Sequence, residues 1–72
     1  MTFAQAAEGV TLPGEAGERA RALALGNWGE WPAAQVVGNA ARLSATLTDK
    51  QNQKLVLGFF REVQKKLPEG LD

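Results

Sequence analysis

Few residues in this 72-residue chain could do chemistry. The chain has no cysteine and no histidine, which excludes disulfides, thiolate metal ligands and the commonest general base. Its one serine, Ser44, is predicted within a helix, with no histidine to activate it. Glu15 and Glu18 could form an acid–base or metal-binding pair, but stabilisation of a helix start explains both carboxylates. The sequence therefore predicts a protein that is not an enzyme and binds no cofactor or metal.

Motifs for phosphate, calcium and carrier chemistry are missing as well. The chain contains no GxxxxGK[ST], no GxGxxG and no EF-hand spacing. Its size and helix number invite comparison with acyl carrier proteins, which carry a serine at a helix start after an aspartate. Ser44 instead follows Arg42 and Leu43 inside a predicted helix, so the comparison fails.

Residues 32–67 have the outline of a helix-turn-helix, with two helices joined by a short link. At the start of the second of these helices, Gln53 could read adenine edges, and Lys50 and Lys54 could contact phosphates. The link lacks a glycine, however, and eight basic residues are balanced by eight acidic ones, so no overall positive field favours nucleic acid. A small DNA-binding transcriptional regulator is the alternative hypothesis.

The last predicted helix separates an apolar face from a basic ridge. The ridge is formed by Lys50, Lys54, Arg61 and Lys65. Leu57 lies beside it, away from the apolar face. The ridge is either a solvated surface or a contact surface for an acidic partner, with Leu57 as its apolar anchor. Arg42, in the polar part of the preceding helix, joins the candidate partner-binding residues.

The predicted third helix is apolar on two sides. One side carries the bulky residues Val36, Val37, Ala40, Leu43 and Leu47, and the other carries the small residues Ala34, Gly38, Ala41 and Ala45. Two apolar faces need two neighbours, which are other helices of the chain or a second copy. The residues predicted to form either the core or a dimer interface are Ala34, Gly38, Ala41, Phe59, Phe60 and Val63.

Both tryptophans lie in the glycine-rich stretch GNWGEWPAA, residues 26–34. Trp31 precedes Pro32 at a predicted helix start, where a large apolar residue can pack on the following helix as a hydrophobic staple does. Trp28 has no evident periodic partner, and tryptophan is enriched in interface hot spots. We therefore predict that Trp31 is structural and that Trp28 contacts a partner.

Caps, turns and apolar repeats predict an all-α fold. Thr2 with Gln5, and Thr48 with Gln51, fit capping boxes, and Pro68 and Gly70 are predicted to end the last helix. No segment alternates apolar and polar residues as a strand would. The predicted helices span about 3–9, 15–25, 32–46 and 49–66. They give a small bundle of three to four helices in one domain, residues 1–72, which homodimerisation could complete.

Size and charge direct the functional prediction toward partner binding. So short a chain buries only about 60% of its unfolded surface, which leaves its folded state only marginally stable. Without cysteine for disulfides or histidine for a metal site, contact with a second subunit or a partner is the remaining source of additional stability. The start MTFAQAAEG shows no signal peptide, and no run approaches the roughly 20 apolar residues of a membrane span, which predicts a cytoplasmic protein. In size and helical character, though in no motif, the chain resembles small regulators of phages, plasmids and bacterial operons. The leading hypothesis is a regulator, inhibitor or adaptor, as a homodimer, that occludes a surface of a larger protein.

Overall fold

A computed structural model describes residues 1–67 of the chain. Within them lie five helices and no strand, which confirms the predicted all-α bundle. The helices are α1 (Phe3–Ala6), α2 (Gly14–Trp28), α3 (Ala33–Gly38), α4 (Ala40–Ser44) and α5 (Lys50–Lys66). The predicted helix stop at Pro68 and Gly70 lies outside the described residues.

Helix α1 begins with the predicted capping box. The Thr2 hydroxyl accepts from the Gln5 amide at 3.2 Å, and the Gln5 side chain accepts from the Thr2 amide at 2.8 Å. The helix ends at Ala6 rather than at residue 9, because the chain turns through Gly9 at φ +80° and returns Val10 to the core. Only glycine adopts that conformation without strain.

The N-terminal segment is fixed to the loop between α2 and α3 by backbone hydrogen bonds. The Phe3 amide donates to the Trp31 carbonyl at 2.7 Å, and the Ala4 amide donates to the Gly29 carbonyl at 2.9 Å. The Ala33 amide donates to the Met1 carbonyl at 3.0 Å. These bonds hold Phe3 in place over the helices that follow.

Helix α2 runs to Trp28, three residues beyond the predicted end. Its buried side carries Gly17, Ala20, Ala24 and Trp28, a repeat of three or four residues that keeps one face toward the core. The Asn27 side-chain amide donates to the Leu23 carbonyl at 2.9 Å within the helix, and Gly29 is the C-cap.

The predicted third helix is two helices with a break at Asn39. This residue has φ −118° and ψ 23°, outside the helical region, and its amide is shared between the Gln35 and Val36 carbonyls. Its side chain donates to the Gln35 carbonyl at 2.8 Å, so it competes with the backbone for helical acceptors. The break follows Gly38, a weak helix former, and the helix after it, α4, packs on α5.

Helix α5 begins one residue later than predicted, with a different cap. The Asp49 carboxylate accepts from the Gln51 and Asn52 amides at 2.7 and 3.2 Å, so Asp49 is the N-cap and the predicted box between Thr48 and Gln51 is wrong. Aspartate is at least as good a cap as threonine, and it lies one residue nearer the helix.

Aromatic rings fill the centre of the bundle. Phe3 meets Phe60 and Phe59 edge to face, with ring centroids 5.3 and 6.0 Å apart, and Trp28 meets Phe60 in the same way at 5.4 Å. Edge-to-face pairs add to the free energy of burial of each ring. Thus α1, α2 and α5 share one core, and the alanines of α2 let α5 lie close to it.

Candidate partner-binding face

A groove lies between α4 and α5, on the side of α5 away from the aromatic core. Its volume is about 180 Å³. It is lined by Ala41, Ser44, Ala45, Gln53, Lys54 and Leu57, and we call it the α4–α5 groove. Ala41, Ala45 and Lys54 are exposed, and Leu57 is half-buried, so the groove opens to solvent.

The polar side chains of the groove wall have hydrogen-bond partners within the chain. The Ser44 hydroxyl donates to the Ala41 carbonyl at 3.0 Å. The Gln53 side-chain amide donates to the Leu47 carbonyl at 2.5 Å and so fixes the link between α4 and α5. With these groups satisfied, the methyl groups of the two alanines and the Leu57 side chain favour an apolar occupant.

The basic ridge predicted on α5 is at the surface. Lys50, Lys54, Arg61 and Lys65 are all exposed, as is Arg42 on α4. Among residues 1–67 the one ion pair joins Lys65 to Glu62 at 3.0 Å, and both side chains are well exposed. The other cations of the ridge, and Arg42, have no carboxylate within ion-pair distance in this part of the chain.

Lys66, near the end of α5, has a hydrogen-bond partner outside its own helix. Its ammonium group donates to the Glu8 carbonyl at 2.6 Å. Lys66 thus connects the end of α5 to the turn after α1, and it lies outside the basic ridge.

Three cations and one leucine form a single line on α5. Lys50, Lys54, Leu57 and Arg61 are spaced by four, three and four residues, which places them within about 60° of one another around the helix and along about 16 Å of its axis. We call this line the α5 stripe. Leu57 and Lys54 belong to both the stripe and the groove, so the two features form one continuous face.

The six residues predicted to form either the core or a dimer interface divide into a buried group and an accessible group. Phe59, Phe60 and Val63 are fully buried in the chain's own core. Gly38 and Ala41 are exposed, and Ala34 is half-buried. Of these six residues, only the alanines and the glycine remain accessible to a second copy.

The buried tryptophan is Trp28, the one predicted to contact a partner. Trp28 is only 6% exposed and packs on Phe60, whereas Trp31 is 37% exposed. Trp28 is therefore removed from the partner-binding candidates. The missed signal was the spacing of four residues from Ala24, which continues the buried side of α2. The groove could not be found from the sequence, because its lining comes from two segments whose packing is set by the tertiary structure.

The residues considered for chemistry remain apart. Ser44 is buried and bonded to its own helix, and Glu15 and Glu18 are exposed on α2. Within residues 1–67, no three acidic side chains converge as metal ligands would. In the nucleic-acid hypothesis, Lys50 and Lys54 are exposed at the start of α5, and the Gln53 side-chain amide donates one hydrogen bond to the Leu47 carbonyl.

No helix in the described part of the chain is long and apolar enough to cross a membrane. No protein-family model, curated protein or solved structure matches the chain.

Proposed function

We propose that this protein is a small non-enzymatic regulator, inhibitor or adaptor that binds a larger cytoplasmic protein and occludes part of its surface. The observation that carries the proposal is the continuous face formed by the α4–α5 groove and the α5 stripe. There a half-buried leucine lies between exposed cations that have no ion-pair partner in residues 1–67. Apolar contact surrounded by charge is typical of protein interfaces.

The lining of the groove supports a protein side chain over a polar metabolite. Its serine and glutamine groups are already hydrogen-bonded, and the rest of the lining apart from Lys54 is apolar. A polar ligand would therefore gain few direct hydrogen bonds from this lining, whereas an apolar side chain would be removed from water by the alanine methyl groups and Leu57.

Homodimerisation remains part of the proposal, but fewer of the residues predicted for its interface are accessible. Since Phe59, Phe60 and Val63 are buried within the chain, and Ala41 lines the groove proposed for the partner, the predicted interface residues left for a second copy are Ala34 and Gly38. Light scattering on the purified protein tests this directly. A mass of 7.7 kDa at every concentration would contradict a dimer.

DNA binding through α5 is the second candidate, supported by the exposed Lys50 and Lys54 at its start. Titration of a fluorescent DNA duplex at low salt tests it, because phosphate contacts are strongest there. Binding that is lost in a Lys50→Glu, Lys54→Glu double variant would favour this function over the protein partner.

Site-specific photocrosslinking tests the main proposal. A photoreactive amino acid is placed at Leu57, and in a control protein at Ala22, which is exposed on α2 outside the groove. In cells expressing each protein, we expect a discrete crosslinked species from position 57 only, and a smaller yield of it when Lys54→Glu is added. Identical patterns from both positions would overturn the proposal.

A further inference from the structure

The chemistry of the α5 stripe identifies what kind of segment the face would bind, given the proposed function. Leu57 has Lys54 three residues before it and Arg61 four residues after it, on the same line of the helix. An occupant that places an apolar group on Leu57 therefore meets a positive charge about one helical turn away in each direction. None of the carboxylates in residues 1–67 lines the groove.

Gly58, next to Leu57, lies open beside the stripe. A Cβ atom at this position would meet nothing within 4 Å in the described part of the chain, so packing within the chain does not require a glycine. Glycine inside a helix costs about 0.5–1 kcal/mol relative to alanine. Its presence leaves a flat area where the backbone of another segment can come close.

We propose that the face binds an acidic amphipathic helix of the partner. One aliphatic side chain of that helix enters the α4–α5 groove against Leu57, Ala41 and Ala45. Carboxylates one turn before and after it pair with Lys54 and Arg61, and the helix backbone passes over Gly58. A helical occupant matches the stripe, because its own i, i+3 and i+4 positions repeat at the same intervals along the axis.

Three synthetic helical peptides of equal length test this inference. The first has a central leucine with glutamates three and four residues to either side. The second replaces the leucine by alanine, and the third replaces the glutamates by lysines. Each is titrated at low salt into the ¹⁵N-labelled protein. We expect the first peptide to bind most tightly and to shift the amide signals of Ala41, Ala45, Leu57 and Gly58.

Two variants and a control locate the interaction. Lys54→Glu should weaken binding of the first peptide about three- to tenfold, because an exposed ion pair is lost and a repulsion replaces it. Arg19→Glu makes the same charge change on the exposed side of α2 and should leave binding unchanged. Leu57→Ala should also weaken binding, and added salt should weaken the Lys54 contribution.

The inference is overturned if the acidic peptide shifts no groove amide, or if the lysine peptide or a DNA duplex binds the same residues more tightly. A failed peptide titration with an intact crosslink at position 57 would mean that the acidic helix is wrong and the binding face is right. If the protein without the Lys54→Glu substitution gives no crosslink specific to position 57, the proposed function itself is wrong.

Discussion

Trp28 and Trp31 are only three residues apart, yet their side chains differ in solvent exposure. Both lie in the same glycine-rich stretch, yet Trp28 continues the buried side of α2 and Trp31 follows the end of that helix. The Trp31 backbone is held by Phe3 and Trp28, while its indole remains partly exposed. The length of α2, and not the local composition, therefore determines which of the two indoles is buried.

Replacing each tryptophan by alanine should have unequal effects on stability. Trp28→Ala should lower the free energy of unfolding by about 3–5 kcal/mol, because it removes a buried ring that packs on Phe60. That is a large part of the total expected for a small domain, about 0.05–0.15 kcal/mol per residue. Trp31→Ala should cost clearly less.

Urea denaturation of both variants measures these free energies. Two single-tryptophan proteins, Trp31→Phe and Trp28→Phe, provide the control. The Trp28 that remains in the first should fluoresce at shorter wavelength than the Trp31 that remains in the second, and it should resist acrylamide quenching more strongly. Equal quenching of the two tryptophans would contradict the burial described above.

Two glycines of α2 should respond in opposite directions to alanine. A Cβ atom on Gly17 would overlap the Leu12 carbonyl, which is backbone and cannot move away easily. Gly17→Ala should therefore destabilise the protein by about 1–3 kcal/mol. A Cβ atom on Gly26 would meet nothing within 4 Å, so Gly26→Ala should stabilise it by about 0.5–1 kcal/mol. Thermal unfolding compares the two, and a lower melting temperature for Gly26→Ala would be evidence against the continuous α2.

At the level of the helices, a few polar side chains decide where each one begins and ends. Asp49 starts α5, Thr2 with Gln5 starts α1, and Asn39 separates α3 from α4. Asn39 bears most on the candidate site, because the short helix α4 that follows it packs on α5.

The start of α5 can be tested by removing one cap at a time. Asp49→Ala should lower the free energy of unfolding by about 1 kcal/mol, because the Gln51 and Asn52 amides lose their acceptor. Asp49→Asn should retain most of the stability. Thr48→Ala should change it by no more than about 0.5 kcal/mol, since Thr48 is exposed and Asp49 makes the cap. Urea denaturation distinguishes the two positions, and a larger loss for Thr48→Ala would contradict this cap.

In the whole molecule, α2 and α5 form the main contact, and α1 closes the aromatic core over them. Helix α4 contributes only Leu43 and Ser44 to the buried residues. The local free energy of unfolding should therefore be lower for α4 than for the core formed by α1, α2 and α5.

Hydrogen exchange should show this difference residue by residue. We expect the slowest amides in the buried parts of α2 and α5, and protection at least about tenfold lower in α4. NMR-detected exchange in the native state measures it. Equal protection of Leu43 and Phe60 would show that α4 opens only together with the core.

The sequence by itself determined the helical class, the capping box at Thr2, the apolar face of α5 and the basic ridge opposite it. These follow from local hydrogen bonding and from the period of one helix, which are encoded within a few residues. The four candidate cations of α5, together with Leu57, came from the same periodicity and lie on the surface or at its edge.

Only the tertiary structure decided which tryptophan is buried, where the third helix breaks, and which small residues remain exposed. Each of these depends on contacts between segments far apart in the chain, such as the ring of Phe3 on Phe60 or the ammonium of Lys66 on the Glu8 carbonyl. A helical wheel shows which residues share a side of one helix. It cannot show which neighbouring helix covers that side, and the α4–α5 groove exists because no helix within residues 1–67 does so there.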